Sequence, residues 1–454
     1  MGNNGQPCPA KPSRKGRAPP MQRFIARQPI LDRAENVCGY EILFRSADEA
    51  FSHFEDPDLA SSAVISDSMI LYGVNELTEG KRAFINCTRD SLVSGRAALM
   101  PPDRIVIEVL ETVEPDIEVL TACRVLKSAG YVIALDDFRD GPQSALVDLA
   151  DIIKIDLQST PEREAEEILR RYSPKGIQFL AEKVETREQF QHAVEQGYSS
   201  FQGYFFAKPR ILTSRDIPSA TKLLYLRILQ TVTRPELDVK EVADAIKHDL
   251  GLSYKLLRFL NSAAFGFHTR IRSIRHAVAL LGQAEMRKWA SLVAIASLGE
   301  DEPPILLETA LTRAAFCELL APRAGAVSQR EDYFVLGLLS NLDAILNRPM
   351  RAALSELPIA GDVKDALLGT PNKFHDALQA VIAYEQADWK KLSALAAKLK
   401  IGEDAFPELF LRAVQWCRQM PFKEMRVTEK ESAPVAVPLQ PGQSGPRDTA
   451  AGLA

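Results

Sequence analysis

Along the first half of the chain, short runs dense in β-branched and aromatic residues alternate with apolar positions at helical spacing, the pattern of a barrel or a doubly wound sheet. Eight such runs stand out, at residues 24–30, 37–44, 82–86, 104–109, 131–136, 151–156, 177–182 and 199–204. Eight runs favour a closed barrel. The helices between them are clearly punctuated. Pro115 opens one that Gly130 closes, and Thr186 with Gln189 makes a capping-box pattern before Phe190, Ala193 and Val194, ended by Gly197. The first two runs are separated by only about six residues, too few for the crossover helix that parallel strands require. They predict an antiparallel hairpin, and so an irregular barrel.

The second half changes period. From Asp238 a helical series runs with short breaks to about Met420, and strand patterns nearly vanish. Leu252, Leu256, Phe259 and Leu260 fall at i, i+4, i+7 and i+8, and Ile274, Ala277, Val278 and Leu281 precede Gly282, so both stretches predict amphipathic core helices. The predicted fold class is α/β plus all-α. A barrel at 23–212 is followed by a helical domain at 213–425, between disordered tails at 1–22 and 426–454.

Composition adjusts this picture only by exclusion. A chain of 454 residues exceeds what one core usually spans, and 46% hydrophobic with 25% charged residues is globular usage. The net charge of −5 and pI near 5.9 lack the basic surplus of a duplex-DNA binder. Six scattered cysteines without zinc-ligand spacing read as reduced thiols in a cytoplasm. The longest apolar runs, at 131–135 and 334–339, fall far short of the roughly 20 residues that cross a bilayer. No membrane span is expected, and the start lacks the apolar stretch of a secretory signal.

The candidate chemistry sits where the runs end. Glu41, Asn86, Glu108, Asp136, Asp137, Lys154, Asp156, Glu182 and Gln202 all lie at or near the C-terminal ends of predicted strands, the active face of such a barrel. A carboxylate closing a buried apolar strand is costly unless it is paired or binds a cation. Converging carboxylates add mutual repulsion, on the order of 1 kcal/mol per pair at 4 Å in water and roughly 4 at an effective dielectric of 20. A divalent cation would remove that cost. The oxygen ligands Glu41, Asn86, Glu108, Asp136 and Glu182, with no Cys or His among them, suit Mg²⁺ or Mn²⁺ rather than zinc. Isolated strand-end acids such as Asp148, Asp151 and Glu114 are ordinary caps or solvated loop residues. Lys154 is either an ion-pair partner for Asp136 or Asp156, or a group that orients a water or stabilises phosphate charge. Arg45 is either a surface charge or a bidentate phosphate clamp.

The segments GYEILFR (39–45), FIN (84–86), IEVLET (107–112), ALDDF (134–138), IKID (153–156), AEKVET (181–186) and FQGY (201–204) resemble, in order, the motifs of EAL-domain cyclic di-GMP phosphodiesterases. The resemblance implies a modified TIM barrel that hydrolyses cyclic di-GMP, with two Mg²⁺ or Mn²⁺ ions activating a water for in-line attack and linear pGpG as product. It implies Glu41, Asn86, Glu108, Asp136 and Glu182 as metal ligands and Asp137 as a second-metal residue. Lys154 would orient the water, Gln202 would support it, and Glu185 would lie near the metals. Arg45 would hold substrate phosphate, Glu111 would anchor the loop after the Asp-Asp pair, and the barrel would be able to pair as a homodimer.

The chain departs from the family's pattern at Ile42 for Ala, at Lys183 where Gly is frequent, and in the loop after Asp137. That loop reads Phe-Arg-Asp-Gly-Pro-Gln-Ser (138–144) against the usual Phe-Gly-Thr-Gly-Tyr-Ser-Ser. In the second half, 248–263 (HDLGLSYKLLRFLNSA) with 272–278 (RSIRHAV) and Leu281-Gly282 resembles the HDOD module, which implies a protein-interaction output. The order of the two halves is similar to that of YuxH-type signalling proteins. The dipeptides His248-Asp249 and His375-Asp376 read as helix-terminal residues, because a metal phosphohydrolase would need further converging histidines. Two functional readings follow: a phosphodiesterase, and a degenerate barrel that senses nucleotide or serves as a scaffold while the helical half recruits partners.

Overall fold

The computed structural model describes residues 23–46, 77–207, 220–234, 241–242, 246, 256, 274–355 and 357–420. The two expected tails lie outside these residues, as does most of the 248–263 motif, including His248 and Asp249. Eight strands close into a barrel: β1 (Arg23–Asp32), β2 (Val37–Ser46), β3 (Arg82–Cys87), β4 (Ile105–Val109), β5 (Val132–Leu135), β6 (Ile152–Asp156), β7 (Gln178–Glu182) and β8 (Ser200–Gln202), hydrogen-bonded in sequence order. β1 is antiparallel to both β2 and β8, and every other neighbouring pair is parallel. The short link between β1 and β2 therefore has the consequence expected of it.

Four helices follow strands of the barrel: α1 (Arg89–Val93), α2 (Ile117–Ser128), α3 (Glu162–Tyr172) and α4 (Arg187–Gln196). Their ends follow local chemistry. Asp116 caps α2 by accepting from the amides of Glu118 and Val119, one residue later than Pro115 suggested. Thr186 and Gln189 form the reciprocal capping box on α4, and Gly197 ends it at φ 107°. Inside the barrel Ile30, Phe84, Val106, Ala134, Ile152 and Leu180 pack into an apolar layer. Gly39 belongs to this layer for a steric reason, since a Cβ there would stand 2.7 Å from the Phe84 ring.

The second half is helical wherever it is described. It comprises α5 (Ala220–Val232), α6 (Ile274–Leu298), α7 (Pro304–Leu320), α8 (Arg330–Leu338), α9 (Leu342–Leu346), α10 (Met350–Ser355), α11 (Gly361–Leu367), α12 (Lys373–Glu385), α13 (Trp389–Leu399) and α14 (Ala405–Gln419). Gly282, expected to end a helix, instead kinks α6 at φ 69°, ψ −178°, and helix resumes beyond it. No described helix is long and apolar enough to cross a membrane.

The short link between β1 and β2 carries no helix, and helices of the second half pack on the hairpin. Arg27, nearly buried, donates to the Leu77 carbonyl at 2.6 Å, pairs with Glu79 at 3.0 Å and Glu308 of α7 at 2.8 Å, and lies 4.4 Å over the Tyr40 ring. Tyr40 donates to Glu308 at 3.2 Å, and Tyr384 of α12 donates to the Ile25 carbonyl at 2.7 Å. Burial, with Glu79 adding to it, raises the Glu308 carboxyl to about 7 against the opposing pull of Arg27.

Between its ordinary value of 4.5 and about 7, Glu308 is protonated in the folded chain and ionised in the unfolded one. Its contribution to stability is thus complete below the lower value and lost as pH rises through the upper one. Thermal unfolding of Glu308→Gln should show a flatter fall in midpoint than the parent between about pH 5 and about pH 8. Parallel slopes for the two proteins would remove Glu308 from the account.

Candidate active site

One step along the barrel axis from the apolar layer, the inward positions become polar. Strand alternation places Glu41, Asn86, Glu108, Lys154, Glu182 and Gln202 there, with Asp136 following β5 directly. Lys154 stands at the centre, its side chain fully buried. Its Nζ lies 2.6 Å from Asp136 Oδ1, 2.7 Å from Glu108 Oε1, 2.9 Å from Glu182 Oε1 and 3.8 Å from Glu41 Oε2. Four carboxylates from β2, β4, β7 and the end of β5 thus share one ammonium. Asp156, the other partner considered for Lys154, is taken by Lys183 at 2.6 Å.

The charge balance is uneven, and the titration of the acids shows it. Burial raises Glu182 to about 8, with Asp136 and Glu41 adding to it and Lys154 opposing. Burial likewise holds Glu108 well above the carboxylate range, against Lys154 and with Glu41 and Asp136. Burial disfavours the Lys154 ammonium, but Glu108, Glu182, Glu41 and Asp136 outweigh it and hold the group protonated. One buried cation is too little for four acids, so protons make up part of the difference.

The same deficit makes the donor set suitable for a hard divalent ion. Glu108 Oε2 and Asn86 Oδ1 are buried without a hydrogen-bond partner, while Glu108 Oε1 faces the Lys154 ammonium. All the oxygen ligands named from the sequence face this centre, and among the described residues no thiol or imidazole does. With the ammonium in the middle, no three His, Cys, Asp or Glu side chains among the described residues are disposed as they stand to hold a metal ion. The oxygen chemistry fits, and the resident cation is Lys154.

The remaining residues occupy the rim. Asp137 follows Asp136 at φ 40°, half-buried, and burial together with Asp136 raises its carboxyl. Lys183 adopts φ 53°, a backbone conformation that glycine reaches without steric cost. Gly203 is the stricter case: at φ 144°, a Cβ would fall 2.1 Å from the Val184 carbonyl oxygen. That close approach lets the Val184 amide donate to the Gln202 carbonyl at 3.0 Å, fixing the strand end that carries Gln202. Glu185 is exposed and accepts from Gln158 at 2.7 Å. Arg45 lies on β2 opposite Phe24, and its side chain is outside the described residues.

The loop after Asp137 turns its unusual residues away from the acids. Arg139 is exposed and donates to the Ser159 carbonyl at 2.7 Å. Asp140 accepts from Tyr172 at 2.5 Å and pairs with Arg171 at 2.8 Å, while Gln143 donates to the Leu110 carbonyl at 3.2 Å. Glu111 is exposed, and these other residues hold the loop in the structure.

Gln28 was missed from the sequence. Its Oε1 accepts from Gln202 Nε2 at 2.9 Å, and the same nitrogen donates to Glu41 Oε2 at 2.6 Å, while Asn86 donates to Glu41 Oε1 at 3.0 Å. Gln28 lies in the middle of its strand, four residues before the C-terminal end at Asp32. The signal was present nonetheless: β1 runs antiparallel, so stepping back two residues from the core residue Ile30 reaches the rim. In the helical half, His375 lies in the first turn of α12, its amide capped by Asn372, and Asp376 pairs with Lys398 at 2.8 Å.

Comparison with known proteins agrees with this architecture. The EAL domain model matches residues 80–209 and the HDOD domain model residues 217–357. The chain is 36% identical over 409 residues to the uncharacterized protein YuxH of Bacillus subtilis, covering 88% of this chain and 99% of that protein. It is 33% identical over 401 residues to the cyclic di-GMP phosphodiesterase CdgJ of Vibrio cholerae, covering 87% and 93%. A manganese and cyclic di-GMP complex of Klebsiella pneumoniae BlrP1 aligns with 42% of this chain and 56% of that chain, at 26% identity and a TM-score of 0.35.

Replacing Lys154 by Met removes the only ammonium that balances these acids and leaves them buried without it. In chelator-treated protein, denaturant unfolding should show a loss of roughly 3–5 kcal/mol, the cost of breaking a buried ion pair from one side. An unchanged midpoint would mean that the acids tolerate one another without the lysine.

Proposed function

Because the chain belongs to the family of proteins in which an EAL domain precedes an HDOD domain, we propose that it hydrolyses cyclic di-GMP to linear pGpG at the mouth of its barrel. The observation that carries this reading is the convergence of Glu41, Glu108, Asp136 and Glu182 on one buried centre at the rim. Its relative CdgJ, similar over nearly its whole length, bears the name of that activity. The modules divide as 23–212 and 213–425, with tails at 1–22 and 426–454, in a cytoplasmic protein whose helical half engages a protein partner.

In this reading Glu41, Asn86, Glu108, Asp136 and Glu182 would hold one Mg²⁺ or Mn²⁺, and Asp137 would contribute to a second. Bound there, the ions would activate a water and neutralise charge developing on the phosphodiester. Lys154, held protonated by its acidic neighbours, orients the attacking oxygen and stabilises the phosphate's added charge. Gln202 steadies the same region through the Glu41 carboxylate. Water adds its oxygen to phosphorus, the bond to the 3′ oxygen breaks, and that oxygen leaves with a proton. Arg45 on β2 binds the substrate phosphate and Glu185 borders the site.

One observation favours the second reading, a nucleotide sensor or scaffold. The loop after Asp137 carries Arg139, Asp140 and Pro142, and Asp140 is tied to α3 through Tyr172 and Arg171. A single assay separates the two readings. Purified protein incubated with cyclic di-GMP and Mg²⁺ or Mn²⁺ should release pGpG, and Glu41→Ala should lower the rate by on the order of a hundredfold or more. Binding without product, equal in parent and variant, would replace the enzyme with the sensor.

A further inference from the structure

The helical half reaches the rim of the barrel through one turn of chain. At the C-terminal end of α12, three successive residues face the first module. Tyr384 donates to the Ile25 carbonyl of β1 at 2.7 Å, and the Gln386 carbonyl accepts from Gln28 Nε2 at 3.2 Å. Between them, Glu385 is buried against Arg313 of α7 at 2.7 Å, and Arg313 also donates to Asn341 at 2.8 Å, so the turn is tied into its own module. Both Glu385 and Arg313 act electrostatically on Tyr204, two residues beyond Gln202. The space between Tyr204, Glu385, Thr312 and Arg27 is a cavity of about 50 Å³, room for a few waters and far too small for a nucleotide.

Gln28 therefore bonds to both modules at once. One end of its amide accepts from Gln202, which holds Glu41, and the other end donates to the helical half. A side-chain amide bonded at both ends has few orientations left, and the module on which it leans selects among them. Among the described residues of the polar layer, the other members bond to one another, while Gln28 bonds outward as well.

We propose that Gln28 is a positioning residue of the barrel site, and that the turn Tyr384–Glu385–Gln386 holds it. The seating of the helical module is thereby transmitted to Gln202 and Glu41. The inference rests on the site assigned under the proposed function, but it concerns how two of that site's residues are held. A partner that shifts the C-terminal turn of α12 changes the site without touching it.

The test uses the full chain and reads Mn²⁺ affinity by calorimetry, kcat and KM for cyclic di-GMP, and thermal midpoint, in the parent, Gln28→Ala, Tyr384→Phe and the double variant. Tyr384→Phe removes one hydroxyl at the module contact and nothing from the barrel. Loss of a residue that orients a metal ligand typically costs about 10- to 100-fold. Gln28→Ala is expected to weaken Mn²⁺ binding and lower kcat by about tenfold, with KM nearly unchanged. Tyr384→Phe is expected to move both in the same direction by a smaller factor, and the double variant to match Gln28→Ala alone, because both act through one path.

Lowered thermal midpoints with Mn²⁺ affinity intact would reduce Gln28 to a structural role and overturn the proposal, as would independent, multiplying effects of the two substitutions. If the parent hydrolyses nothing, the enzymatic reading falls, and the Mn²⁺ affinities still decide the inference. A parent that binds no Mn²⁺ would sink both.

Discussion

A single ammonium buried among four carboxylates is the constraint from which the rest of the barrel follows. Lys154 can hold Glu41, Glu108, Asp136 and Glu182 together only because each arrives from a different strand at the same height. That height is set by the apolar layer beneath, where Phe84 requires a glycine at position 39 on the neighbouring strand. A buried cluster of this kind is poor at stabilising a fold and good at remaining unsatisfied, since desolvating charged groups can cost more than their attraction returns. Its surplus of negative charge is what a cation-dependent site needs.

The irregular hairpin has the second-largest influence. Reversing β1 removes one crossover helix and bares one stretch of the barrel wall, and helices of the second half occupy it. Arg27 is the organising group there, because its guanidinium meets Glu79 from its own module and Glu308 from the other while stacking on Tyr40. The same reversal brings Gln28 to the rim from the middle of its strand. The unusual topology thus connects the site and the module contact through one pair of strands.

Much of this was legible in the residues. All eight runs became strands, the capping box at Thr186 formed as written, and the acids at strand ends met at one centre. What escaped depended on three-dimensional context. Ends of parallel strands locate the rim by a simple rule, and Gln28 sits on a strand to which that rule does not apply. The choice of Asp136 over Asp156 as the partner of Lys154 depended on Lys183, whose left-handed backbone aims its amine at Asp156. Gly282 read as a stop and became a kink, with helix on both sides of it. The Arg139–Asp140 pair, a departure from the family's pattern in one dimension, points outward in three.

Lys183 has one more effect, on the approach of a ligand. A mouth ringed by acids presents a repulsive field to any dianion diffusing toward it, and such fields slow encounter well before contact. Where a glycine would add nothing, Lys183 places a positive charge at the lip of the barrel, its side chain more than half exposed. An anionic visitor thus meets a softened barrier at the lip, before the buried acids come into play.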